Sequence, residues 1–304
     1  FLASGDIGLE SVTPGVLSSR LAERNVPTSL LSEPYIAYRL HERYRSWFDS
    51  RMPRESRRMN RDLQPSAVFQ TLLLWNKLFS PRVHAFLSRL ESIDLRLILT
   101  AVALWSLVLG LFIRVRRARL ASVTYSIATT GFFGMLANLV LVFGFQVYYG
   151  DLYHRIGLLI SIFMAGSAAG SMGMTRILRN EKADLRLLSL IDAGIAAYCL
   201  TLAFVLGRLS FSPQAVAVIF GVLFFLCGFL VGCEFPLAGK LYLAGRGQVG
   251  ETAGALSFAD LTGGWVAGVL GGIACFAVFG VMGTCLLMAV LKLGSLFVLT
   301  QARA

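Results

Sequence analysis

Charge is missing from long stretches of this chain. Residues 97–113 (LILTAVALWSLVLGLFI) hold no ionisable side chain, and apolar windows of this kind recur until the last residues. A helix crossing the ~30 Å hydrocarbon core of a bilayer needs about 20 predominantly apolar residues. Charged residues make up 15% of the chain and hydrophobic ones 56%, with a mean hydropathy of +0.69. That balance excludes an ordinary soluble globule. Cysteine is scarce: Cys199, Cys227, Cys233, Cys275 and Cys285 all lie inside apolar segments, without zinc-type spacing, and read as small packing residues. Neither a metal nor another cofactor is expected. The first residues lack the basic start and apolar core of a signal peptide. The chain opens at Phe1 with FLASGD, which reads as a strand running into a turn, so further residues are expected upstream.

What is present in excess is arginine and lysine, giving a net charge of +11. The excess sits in 39–61 and in short loops between apolar segments, where positive charge reports topology, and nucleic acid is not expected as a partner. Residues 1–65 read as the tail of an α/β, Rossmann-like domain. Strands are expected at 1–3 and 26–31, and a short helix opens at Thr13-Pro14. An Arg- and aromatic-rich helix should start at Pro34 and run through Tyr38, Tyr44, Trp47 and Phe48. Residues 66–95 carry two short amphipathic helices suited to the headgroup region, or equally to a soluble domain.

Residues 97–304 read as a polytopic helical bundle of about seven spans: 97–113, 122–148, 156–175, 187–207, 215–235, 252–279 and 282–300. The first connection between spans holds Arg114, Arg116, Arg117 and Arg119, the third Arg176, Arg179, Lys182 and Arg186, and the fifth Lys240 and Arg246. The alternate connections hold little positive charge. The positive-inside rule then places the rich connections and the C-terminus in the cytoplasm, and the N-terminal segment outside.

Several stretches resemble the membrane region of bacterial spermidine synthase-like (polyamine aminopropyltransferase-like) proteins fused to transmembrane helices. They are TTGFFGMLANLVLVFGFQVYYGDLYHRIGLLISIFMAGSAAGS (129–171), CEFPLAGKL (233–241) and GALSFADLTGGWVAGVLGG (254–272). FLASGD and MNRDLQPSAVFQTLLLWNKLFSP (59–81) resemble the part where that family joins its synthase-like domain to the membrane. The resemblance implies a bacterial inner-membrane location and a Rossmann-like aminopropyltransferase ancestry. It carries over no catalytic residue: 1–65 has no glycine-rich nucleotide loop, and Asp6, Glu10, Glu23 and Glu33 have no motif context.

Inside the spans, ionisable groups are costly and are functional hypotheses by default. Asp260 is the sharpest. Four-residue steps put it on one stripe with Gly264, Gly268 and Gly272, so it also reads as part of a packing seam. Glu234 precedes Pro236, where the helix should kink or stop. It is expected either to approach Asp260, forming a cation site, or to mark the membrane boundary and pair with Lys240. Asp192 is expected to cap its helix or pair with Arg186. Gly166 and Gly170 form a second small-residue face, across which Asn138 and Gln146 are placed to hydrogen-bond. Asp151, His154 and Arg155 read as an interfacial group beside Tyr148, Tyr149 and Tyr153, with Asp151 and Arg155 spaced for an ion pair. Three functions follow: a non-catalytic anchor and scaffold in contact with lipid and other membrane subunits, a small-cation or polyamine transporter, or an aminopropyltransferase whose catalytic half lies upstream.

Overall fold

The computed structural model of the protein describes residues 13–25, 31–51, 63–91, 94–150, 155–180, 183–208, 213–246 and 248–303. Described residues outside helices are turns, short connections and one isolated bridge, and none forms a strand. The chain divides into two units, Phe1–Met59 and Asn60–Ala304.

In the first unit, α1 (Pro14–Glu23) begins with Thr13 in an extended conformation and proline in its first turn. Proline there costs no hydrogen bond, because the first N–H groups of a helix have no partner anyway. The aromatic segment forms two helices where one was expected, α2 (Glu33–Arg39) and α3 (Glu42–Arg51). The break falls at Leu40–His41, where the His41 ring nitrogen Nδ1 accepts the Arg43 N–H at 3.3 Å and starts the new helix. Arg39 lies over the Tyr35 ring, 5.3 Å from its centroid. The strands expected at 1–3 and 26–31 lie outside the described residues, except for Leu31, which is not in a strand.

The second unit begins with the helices α4 (Ser66–Phe79) and α5 (Pro81–Glu91). Phe69, Leu73 and Leu87 are buried between them and against Val278. The opposite side exposes Leu74, Trp75, Leu78, Phe79 and Phe86, a pattern suited to the headgroup boundary.

Among the described residues, seven helices long and apolar enough to cross a membrane follow. They are α6 (Leu95–Arg116), α7 (Arg119–Tyr149), α8 (Ile156–Asn180), α9 (Leu185–Arg208), α10 (Pro213–Arg246), α11 (Val249–Leu270) and α12 (Gly280–Gln301). A π-helical segment, Gly271–Phe279, joins α11 to α12. Helix α7 packs on α11, α10 and α12; α8 packs on α10; α12 also packs on α9 and α6. α10 does not stop at Pro236 but runs through it to Arg246.

Without a hydrophobic driving force between helices in lipid, close backbone approach supplies the packing energy. On α8 and α10 this approach is reciprocal. A Cβ at Gly166 or Gly170 would run into the carbonyl of Phe225 or Phe229, and one at Gly228 or Gly232 into that of Phe163 or Ser167. Helices α7 and α11 repeat the device, with Gly131 against the Asp260 carbonyl and Gly263 against that of Ala128. The tight seam of α11 is therefore Ala259, Gly263 and Ala267. Gly264 and Gly268 flank it, both beside Met135. The expected stripe is one residue out of register, about 100° around the helix. Gly272 falls in the π-helical segment, and its surroundings are outside the described residues.

The Arg-rich ends gather at one end of the bundle. Arg114 donates to the Gln301 side chain at 3.2 Å, Arg119 to the Ala302 carbonyl at 3.4 Å, and Arg303 to Ser189 at 2.6 Å.

Candidate functional site

The centre of the bundle holds an ionic cluster from four helices. Helix α7 supplies Ser126 and Thr130, one turn apart; α9 supplies Asp192; α10 supplies Glu234; α12 supplies Lys292 and Ser295. Asp192, Glu234 and Lys292 are all 0% exposed. The Lys292 ammonium donates to Asp192 Oδ1 at 2.6 Å, makes a short bond to the Thr130 hydroxyl, and lies 3.3 Å from Glu234 Oε2. Ser295 donates to Asp192 Oδ2 at 2.6 Å, Ser126 to Glu234 Oε1 at 2.6 Å, and Thr130 to Glu234 Oε2. Ser126 also lies 3.2 Å from Asp192 Oδ2 and so stands between the two carboxylates.

Lysine brings three N–H donors and each hydroxyl one O–H, enough to cover all four carboxylate oxygens. Every charged group therefore has internal partners, which is the condition for surviving in a medium where bare charge costs several kcal/mol. One ammonium faces two carboxylates, so the cluster carries one net negative charge when both are ionised.

These contacts revise three expectations. Glu234 lies inside α10, and its partners are Ser126, Thr130 and Lys292 in place of Lys240; the Lys240 ammonium donates to the Leu178 carbonyl at 2.5 Å. Asp192 pairs with Lys292, while Arg186 lies 3.9 Å from Asp184. Asn138 bonds back to Gly134 of its own helix at 2.9 Å, and Gln146 is exposed. Lys292 itself was not singled out from the sequence. A lone lysine in the middle of the last apolar run was the available signal.

Asp260 stands beside this cluster and outside it. It lines a half-open crevice of about 290 Å³ together with Ile127 and Thr130 of α7, Ser167 and Ser171 of α8, and Val231, Gly232 and Phe235 of α10. Among the described residues no hydrogen bond joins Asp260 to Glu234. Thr130 is the link, lining the crevice and bonding both Glu234 and Lys292.

Asp151 and His154 lie outside the described residues. Arg155 sits over the Tyr149 ring, 4.3 Å from its centroid. Among the described residues no three or more His, Cys, Asp or Glu side chains come together to hold a metal ion. Compared with protein-family models, curated proteins and solved structures, the chain matches none.

Proposed function

We propose that this chain is a membrane anchor and scaffold, the multi-span part of a spermidine synthase-like protein, rather than the site of its chemistry. The observation that carries this reading is the closed state of the ionic cluster. Its three charged groups are fully buried, joined through the Lys292 ammonium and bonded to hydroxyls of α7 and α12, which suits a pin that fixes helix register. The bacterial origin, the synthase-like kinship and the companion subunits rest on the resemblance in 129–171, 233–241 and 254–272. Orientation rests on the positive-inside rule, with the Arg-rich end in the cytoplasm.

A second reading, transport of a small cation, is favoured by the crevice, which reaches Asp260 and touches the cluster through Thr130. Proteoliposomes separate the two. With protons, sodium or a diamine on one side, the scaffold reading expects flux equal to that of empty liposomes. Flux that requires the protein and collapses in Glu234→Gln, with assembly intact, would replace it by the transporter.

A further inference from the structure

We infer that the Asp260 crevice is a binding site for a primary ammonium carrying a short apolar tail, independently of the scaffold reading. Four polar side chains line this one cavity, and three of them, the Asp260 carboxylate and the Ser167 and Ser171 hydroxyls, have no hydrogen-bond or ion-pair partner among the described residues. Unmet polar groups are costly inside a bilayer, and here they converge. A fourth acceptor adds to them. Pro236 has no N–H to give to the carbonyl of Gly232, four residues earlier, and Gly232 lines the same crevice. The site therefore offers one negative charge and an excess of oxygen acceptors, the complement of a monovalent cation rich in N–H donors.

Position and walls narrow the ligand. Asp260 lies eleven residues into α11, roughly 16 Å from its start, which is near the middle of the hydrocarbon core. Its carboxylate crosses above Gly131, where a Cβ would come within 2.8 Å of Oδ1. Ile127, Val231 and Phe235 supply the apolar walls, and Phe235 makes one of them aromatic, a group that attracts cations. About 290 Å³ is far more than a bare metal ion fills and suits a small organic molecule. A single carboxylate matches one ammonium; a diamine would leave its second charge without a counter-ion.

The test is thermal unfolding of the whole chain in nanodiscs with n-butylammonium chloride. Tetramethylammonium chloride, sodium chloride and 1,4-diaminobutane at matched ionic strength are the comparisons. Butylammonium should raise Tm in a saturable way, and tetramethylammonium, which has no N–H to donate, should not. Asp260→Asn should weaken half-saturation by roughly tenfold or more, as expected for a lost charge-assisted hydrogen bond. Ser171→Leu, which fills the crevice and leaves every charge in place, should abolish the rise. Each variant is read against its own ligand-free Tm. No rise in the wild-type protein, an equal rise in Asp260→Asn, or an equal response to tetramethylammonium or sodium would overturn the assignment. Stronger stabilisation by the diamine would overturn the single-charge match.

Discussion

Removing the Lys292 ammonium should be the most damaging conservative change in the bundle. Lys292→Met keeps the length and apolar stem of the side chain and deletes only its charge and donors. The loss strips Asp192 of its 2.6 Å ion pair and Thr130 and Glu234 of their cationic partner. Two fully buried carboxylates then face each other across Ser126 with only hydroxyl donors left. Breaking a buried ion pair from one side costs about 3–5 kcal/mol. The neutral triple variant Lys292→Met, Asp192→Asn, Glu234→Gln removes the uncompensated charge, and should recover most of that loss. The assay is SDS-driven unfolding of purified protein in mixed micelles, followed by far-UV circular dichroism, with the single, double and triple variants analysed as a thermodynamic cycle. A single variant within about 1 kcal/mol of wild type would refute the reasoning. So would a triple variant no more stable than the single, because the three charges would then not act as a unit.

Helix packing and thiol accessibility give two further expectations. Gly228→Val should destabilise the α8–α10 pair by at least the roughly 1–3 kcal/mol of ordinary overpacking, since a Cβ there meets backbone. Gly254→Ala, with nothing within 4 Å, should be neutral or stabilising by up to about 1 kcal/mol; equal losses for the two in the same SDS titration would contradict the close-approach account. The five cysteines are all buried, so a small methanethiosulfonate reagent should label none of them in the folded protein and all five after denaturation. Asp260→Cys should add one site that labels in the folded state. Mass spectrometry that finds this cysteine as protected as Cys227 would show the crevice to be closed.

The number of spans and their approximate limits were legible in the sequence, because the cost of charge in lipid is written directly into composition. The ionic cluster was legible only in fragments. Asp192 and Glu234 stand out in the sequence, but the partners it suggests are Arg186 or a helix cap for the one and Asp260 or Lys240 for the other. Their actual partner lies 100 and 58 residues away, and hydropathy does not say which helix lies beside which. Pro236 reinforced the error over Glu234 by marking a helix end that α10 runs through. The glycine faces show the limit of periodicity. Gly166 and Gly170 lie against the carbonyls of α10, whereas on α11 the tight seam runs through Gly263, one residue from Gly264. Asp260 was recognised as an exceptional residue, but the crevice was not, because Ser167, Ser171 and Gly232 carry no signal until α8 and α10 are assembled around it.

The order of the charged spans along the chain also governs how the bundle is made. Asp192 reaches the translocation machinery with α9 and Glu234 follows with α10, while their cation waits for α12. Until that last helix arrives, a growing chain holds two acids in or near lipid with only the hydroxyls of α7 to shield them. A ribosome that stops short of α12 therefore releases a polypeptide bearing exposed acidic helices, the kind of flaw by which proteolytic surveillance sorts unfinished membrane proteins from finished ones.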